Sequence, residues 1–546
     1  MSLHVGSSWS WPVPALLGLY LCAAALAAGD FSASVNVQLP WTDADGYAPA
    51  IVAIDPERDA TLRLEARCGQ DSGTLRVEVQ DRRPQRVTVL VPGQEYSYVN
   101  LHATDDRGRS YDVSGSSSHQ HRSLDLALVD PDETVKQKAL HEFLVKALAG
   151  AALPGRHRYS STAGYPEDRV DRFPVENLPD RWQGYPCWLV LWLTPAGDRA
   201  LSAAQRQAIA TWSLAGGGLI VSENSQVTAW SRLGARPILA TAADPAPVAA
   251  AIRERLKDSP DDAPPVPGTD RVPVLAFVVI AVLFAVVVGP LNLWWVRRQG
   301  KRHLFLITTP IISAATCFGL ILISILAEGI HVRRTVIQAV HLDQTAKRAI
   351  GWTGVSYFAG LSTGGLVLDG EDLVTAVLSD EERRQVGQLS LDWTDGLRAD
   401  GPWIPSRTNR ALRYIQARPD NRRLLIEPVG GGWRVTNGLG AAIDQLLWRD
   451  AAGKAWACTA LADGASATLT QDGPARGLTR LPQLANQGRL SQGATLVRDA
   501  VAKEPFAYQA KLAAPLLPVP GPAGEDVAPV ESWVFGIVAP ATAGKS

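Results

Sequence analysis

Two uncharged stretches, 272–296 (VPVLAFVVIAVLFAVVVGPLNLWWV) and 304–327 (LFLITTPIISAATCFGLILISILA), are separated only by the basic turn RRQGKRH. Each has the roughly 20 apolar residues a helix needs to cross a hydrocarbon core of about 30 Å. Together they read as a transmembrane hairpin of residues 272–296 and 304–327 with a loop at 297–303. Near the end of the first helix stands Gly289-Pro290-Leu291-Asn292. Proline removes a backbone donor and clashes with the preceding turn, so a kink is expected at Pro290. An amide at this depth must find a partner, and the residues across the hairpin are Thr308, Thr309 and Pro310.

The turn also gives the hairpin a direction. Arg297, Arg298, Lys301 and Arg302 form the one dense basic cluster beside a span, and short basic loops stay in the cytoplasm. Trp294 and Trp295 precede the cluster, where an interfacial aromatic belt belongs. The long segments before and after the hairpin then both lie outside, in the periplasm if the cell has two membranes. At the N-terminus, the apolar run VPALLGLYLCAAALAA (13–28) ends in a small-residue cleavage pattern, so 1–28 reads as a signal peptide or an uncleaved anchor. Both readings place the segment from residue 29 onward on the far side of the membrane.

With 546 residues the chain needs several cores. Its 53 basic and 54 acidic residues nearly cancel, which argues against a nucleic-acid partner. The five cysteines are scattered, with no CxxC spacing, so neither a disulfide framework nor a zinc site is indicated. The 17 tryptophans suit sandwich cores and membrane-interface anchors.

Residues 30–115 alternate apolar and polar positions in short runs such as TLRLEARC and QRVTVLVP, the pattern of an Ig-like antiparallel β-sandwich. A Ser/His-rich bridge, SGSSSHQHRS (114–123), comes next. Over 122–257 the grammar changes to apolar strands alternating with helices: LDLALVD (124–130), a helix within 132–150, YPCWLVLWL (185–193), a helix from Ser202 as N-cap to Gly216 as stop, and GLIVSEN (218–224). Such alternation predicts a helix-covered parallel sheet of flavodoxin-like type. A linker (258–271) leads into the hairpin. Residues 328–546 read as β-rich, with turns at Asp450–Gly453 and Asp463–Gly464 and a last strand in SWVFGIVAP. The fold class expected is therefore a multidomain α+β membrane protein.

The passage ENLPDRWQGYPCWLVLWLTPAGDRALSAAQRQAIATWSLAGGGLIVSEN resembles the central unit of class I glutamine amidotransferase-like domains. That family uses a cysteine in a Gly-flanked elbow, with a later His and an acidic partner. Here no GxCxG occurs, and no histidine follows Cys187 before the first span. Without a base to form the thiolate, acyl chemistry is not indicated. The stretch VGPLNLWWVRRQGKRHLFLITTPIIS resembles the hairpin of a family of uncharacterised bacterial membrane proteins. In that family a GPxN motif, an Arg-rich loop and a TxP helix lie between an amidotransferase-like domain and a β-rich exoplasmic tail. The resemblance implies an architecture and no activity.

No GxGxxG or P-loop is present, so no nucleotide cofactor is expected. His119 and His121 sit in a Ser-rich linker, and Asp258, Asp261, Asp262 and Glu254 read as a solvated linker without EF-hand spacing. Ser222, Glu223 and Asn224 end a parallel strand, where open α/β sheets bind ligands, and form the candidate small-molecule site. Gly289, Pro290, Asn292, Arg297, Arg298, Lys301, Arg302, Thr309 and Pro310 form the structural signature of the hairpin. The expected function is a non-catalytic, membrane-anchored exoplasmic scaffold of the plasma membrane, with the lipid bilayer and a membrane or periplasmic protein as partners. The alternatives are an accessory subunit of a transport or envelope complex, and an exoplasmic hydrolase or sugar-binding protein using the α/β segment.

Overall fold

The computed structural model describes residues 31–37, 46–92, 98–116, 126–148, 171–186, 188–222, 227–255, 266, 274–298, 300, 305–328, 331–362, 364–378, 382, 387–471, 489–522, 524–526 and 530–541. The leader 1–28, the histidines of the bridge, Cys187, Glu223, Asn224, Asp258, Asp261, Asp262, Lys301 and Arg302 lie outside them. The described residues form a β-rich mixture of sheets and helices.

The first segment contributes β1 (Phe31–Val37), β2 (Tyr47–Pro56), β3 (Ala60–Cys68), β4 (Asp71–Val79), β5 (Gln85–Pro92), β6 (Tyr98–Thr104) and β7 (Ser110–Ser116). One sheet runs β1-β2-β5; in a second, β4, β3, β6 and β7 are successive neighbours, paired antiparallel. Alternation on β3 sends Leu62, Leu64, Ala66 and Cys68 inward. They meet Val52, Ile54, Val89 and Val91 in one apolar core, the face-to-face packing of a sandwich.

The next segment holds β8 (Leu126–Val129), α1 (Gln137–Ala147), β9 (Asp171–Arg172), β10 (Val190–Leu193), α2 (Pro195–Ala200), α3 (Ala203–Leu214), β11 (Gly218–Val221), α4 (Val227–Arg232), β12 (Ile238–Leu239) and α5 (Ala246–Arg255). Its sheet is parallel, in the order β12-β11-β10-β8-β9. Every residue of β8, β10 and β11 is buried, as expected of strands covered on both faces. Ser202 and Gln205 close a reciprocal capping box at the start of α3, and Gly216 stands just past its end at φ +106°. The apolar run from Tyr185 is not strand throughout: β10 begins only at Val190. Tyr185 and Trp188 lie in a loop held by the bond from the Tyr185 hydroxyl to the Pro179 carbonyl (2.7 Å) and by edge contacts of Trp188 with Phe173 and with Tyr185. Apolarity alone does not separate a buried aromatic loop from a buried strand.

Two apolar helical arms come next. The first comprises α6 (Val274–Val286), a π-turn at Val287–Leu291 and α7 (Asn292–Arg298); the second is α8 (Phe305–Glu328). They pack against each other through α7 and the π-turn.

Beyond them lie β13 (Val332–Asp343), β14 (Arg348–Ala359), β15 (Leu366–Leu368), β16 (Asp372–Val377), β17 (Ser390–Asp392), β18 (Leu397–Asp400), β19 (Asn409–Pro419), β20 (Arg423–Val429), β21 (Gly432–Gly438), β22 (Ile443–Arg449), β23 (Ala455–Leu461), β24 (Ser466–Gln471), α9 (Arg489–Ala502), β25 (Ala507–Leu512), β26 (Glu525–Asp526) and β27 (Glu531–Ile537). Most join one long sheet, β16-β19-β14-β13-β27-β25-β22-β23-β24-β21-β20, with β26 against β13. Its far half curls around a core containing Trp448 and Tyr508. The chain after β27 reaches the edge strand β20 through Ala541 N to the Ile426 carbonyl (2.8 Å).

The strands β15, β18 and β17 do not join that sheet. They extend the N-terminal sandwich: β17 lies parallel to β4, giving the order β15-β18-β17-β4-β3-β6-β7. The sandwich expected over 30–115 is therefore completed by residues from beyond the helical arms. Local sequence cannot reveal such a pairing, because its partners are separated by more than three hundred residues.

Candidate functional site

Three places bear on chemistry or recognition: the helical arms, the carboxyl edge of the parallel sheet, and the joint between the segments flanking the arms. In the arms, Pro290 sits inside the π-turn with Gly289, where the missing proline donor is absorbed by a locally widened helix. Asn292 begins α7 and is 5% exposed. The Thr308 hydroxyl donates to its Oδ1 at 2.9 Å, and its Nδ2 donates to the Thr309 hydroxyl at 3.3 Å. One amide thus clips the two arms together. Pro310 lies exposed in the second turn of α8, and Arg297 and Arg298 are exposed at the end of α7. The Arg298 guanidinium stands 5.5 Å from the Trp294 ring centroid, a cation–π arrangement.

Outside these mutual contacts most described side chains of the arms are exposed or half-exposed. Val278–Arg298 is long and apolar enough to cross a membrane, and only 6% of its apolar window is buried. The apolar part identified in the second arm, Phe305–Ile321, is shorter, although α8 as a whole runs to Glu328. Val282, Leu283, Leu306, Ile311 and Phe318 are all more than half exposed.

The parallel sheet reverses its order between β8 and β10, the position where doubly wound sheets hold ligands. Here that crevice is filled by the chain itself. Thr194 N and its hydroxyl both donate to the Val129 carbonyl at 3.1 Å. A Cβ on Gly197 would lie 2.4 Å from the same oxygen, so the turn after β10 rests directly on β8. The buried Asp130 carboxylate accepts from the Thr134 hydroxyl (2.9 Å), Val135 N (2.8 Å) and Arg172 (3.4 Å). Asp198, also buried, pairs with Arg206 at 3.0 Å, and that guanidinium covers the Trp230 ring. Ser222 is half-buried and its N–H is bound to the Leu193 carbonyl (3.2 Å). Thr194, Asp130 and Asp198 are thus engaged in internal bonds, and no nucleophile–base pair is assembled among the described residues of this edge. No His/Cys/Asp/Glu cluster with metal-binding geometry occurs among them either. The described thiols of Cys68, Cys317 and Cys458 are free, and burial pushes Cys68 up to about 12, far from a reactive thiolate.

The joint is the most densely bonded of the three places. Edge strand β16 is capped by side chains from both earlier segments. Trp182 Nε1 donates to the Glu371 carbonyl (3.2 Å), Gln183 Nε2 donates to Gly370 (2.7 Å), and Val374 N donates to the Tyr47 hydroxyl (2.9 Å). Beside them Arg418 grips the buried Asp372 carboxylate at 3.0 and 3.1 Å. Burial still holds that carboxyl above its ordinary value. Arg181 lies 4.6 Å from the Trp393 ring centroid. On the other side of α3, Trp352 Nε1 donates to the Ala215 carbonyl (3.3 Å), and Gly216 approaches Gly493 of α9 so closely that a Cβ would stand 2.2 Å from its Cα. A single apolar cluster runs through Tyr47, Trp182, Trp212, Trp352 and Tyr414.

The hairpin residues are marked in the sequence, but nothing there marks this joint. Its polar contacts join residues far apart in the chain, and each residue type is unremarkable alone. Helix α9 is also absent from the sequence-based expectation, although Ala494, Val497 and Val501 carry a helical period that could have revealed it. No protein-family model and no curated protein sequence matches this chain.

Proposed function

We propose that this protein is a non-catalytic scaffold held in the plasma membrane by a two-helix hairpin, with both large segments on the exoplasmic side. The observation that carries the reading is the shared sheet. Strands β4 and β17 lie side by side, one before the arms and one after them. If Val278–Arg298 crosses a bilayer, a single crossing would put these neighbours on opposite faces. The reading therefore requires α8 to return, and its 24 residues give a helix of about 36 Å, sufficient for a core of about 30 Å. The basic turn then faces the cytoplasm. The filled crevice of the parallel sheet and the heavily bonded joint favour a scaffold over an enzyme. In this reading the α/β segment is a degenerate amidotransferase-like unit, used for packing.

A second reading, an accessory subunit of a transport or envelope complex, is favoured by the bare flanks of the arms, which partner helices could cover. The two are tested together. Thiols introduced as Asp81→Cys and Ala451→Cys should react with an impermeant maleimide from outside, whereas Gln299→Cys should react only after the membrane is opened. Outside labelling of Gln299→Cys, or opposite labelling of the other two, would overturn the topology. Purification in mild detergent with a stoichiometric integral membrane partner would favour the accessory subunit.

A further inference from the structure

The end of the long sheet from which α8 emerges carries a surface the anchor alone does not require. Only residues 329–331 separate α8 from β13. The four steps from Glu328 to Val332 span at most about 14 Å, while the headgroup layer on each side of a bilayer is about 6 Å deep. With Glu328 at the hydrocarbon boundary, the first residues of β13 stand in that layer or just above it. The pairing of β13 with β14 fixes what stands beside them. Val332 is opposite Ala359, and Gly360 N donates to the His331 carbonyl (3.4 Å). The next residue, Leu361, is 57% exposed. Arg407 N donates to the Ala359 carbonyl (2.7 Å), which places exposed Arg407 on the same rim. Half-buried Arg333 and Arg334 are the following residues of β13. Glu525 and Asp526 of β26 are their partners in the backbone register.

Resting on the anchored reading above, we infer that this rim seats in the headgroup layer of the same bilayer. Leu361 enters the acyl boundary, and Arg333, Arg334 and Arg407 meet lipid phosphates. An exposed leucine with arginines on the neighbouring strand ends fits that layer, where apolar groups enter the lipid and guanidiniums reach phosphate oxygens. The seat would fix the tilt of the rigid outer body on the membrane, since β13 is a central strand of its long sheet.

The test uses the full chain in phosphatidylcholine vesicles containing a fraction of phosphatidylglycerol. An environment-sensitive fluorophore is placed at Leu361→Cys, at Phe318→Cys in α8, or at Ala451→Cys on the far end of the sheet. Nitroxide lipids should quench position 318 from deep in the core and position 361 from the headgroup level, and leave 451 unquenched. Replacing Arg333, Arg334 and Arg407 by Gln should lower quenching at 361 by about twofold without changing 318. Quenching at 318 with position 361 as silent as 451 would overturn the seat and leave the anchor standing. Absence of quenching at 318 would overturn both.

Discussion

The Tyr47 hydroxyl accepts a hydrogen bond at 2.9 Å from the backbone N–H of Val374, 327 residues further along the chain and on the other side of the helical arms. Both residues are buried, and burial pushes the phenol well above its ordinary range, so it stays protonated. Tyr47→Phe keeps the ring and removes the oxygen, leaving the Val374 amide buried without this acceptor. A loss of about 1–2 kcal/mol is expected, measured by chemical unfolding in mild detergent. The two flanking segments should lose stability together; independent unfolding of the N-terminal segment in the wild-type protein would contradict a shared body.

Gly216 tests the contact between α3 and α9. It has φ +106°, and an added Cβ would stand 2.2 Å from the Cα of Gly493. Gly216→Ala therefore suffers both backbone strain and a backbone clash, with an expected cost of about 2–4 kcal/mol. Gly453→Ala is the control: its φ is +79° but nothing lies within 4 Å, so only the strain remains, about 1 kcal/mol. Equal costs in the two variants would show that the close approach does not hold in solution. Limited proteolysis should cut near α9 first in the Gly216 variant.

Asn292 makes the polar clip between the arms. Asn292→Ala and Thr308→Val should each weaken the hairpin, and a double-mutant cycle should return a coupling of about 0.5–1.5 kcal/mol. Thermal stability in detergent is the readout. A coupling near zero would mean that the amide finds other partners.

His341 gives a pH dependence whose sign is set by its shift. Burial, aided by Arg236 and only partly opposed by Asp343, pushes it from 6.5 down to about 4, and its ring stacks on Phe535 at 5.5 Å. The folded protein thus keeps His341 neutral where the unfolded chain would protonate it. Its contribution to stability is complete above the unfolded value and is lost as pH falls from 6.5 towards 4. His341→Gln should flatten the stability profile across that window relative to wild type. An unchanged slope would show that the imidazole takes up its proton as readily in the fold as in the unfolded chain.

Some of this architecture is legible in the residues because its causes are local. The alternation on β3, the capping box of Ser202 and Gln205, and the stop at Gly216 arise from side-chain period and backbone propensity within a few positions. The opposition of Asn292 to Thr308 and Thr309 arises from a short turn that leaves one pairing available to two apolar helices. The loop positions of Tyr185 and Trp188 read as strand in the sequence because aromatic burial looks the same in both. Joining β17 to β4, Tyr47 to Val374 and Gly216 to Gly493 required the tertiary structure.

What the sequence determined alone is where regular elements can form and that two adjacent helices are apolar on every side, since both depend on neighbours within one or two turns. Only the tertiary structure decided that the segments on either side of those helices build a common sheet and core. That choice depends on packing and backbone pairing between residues hundreds of positions apart, for which no local pattern carries a signal.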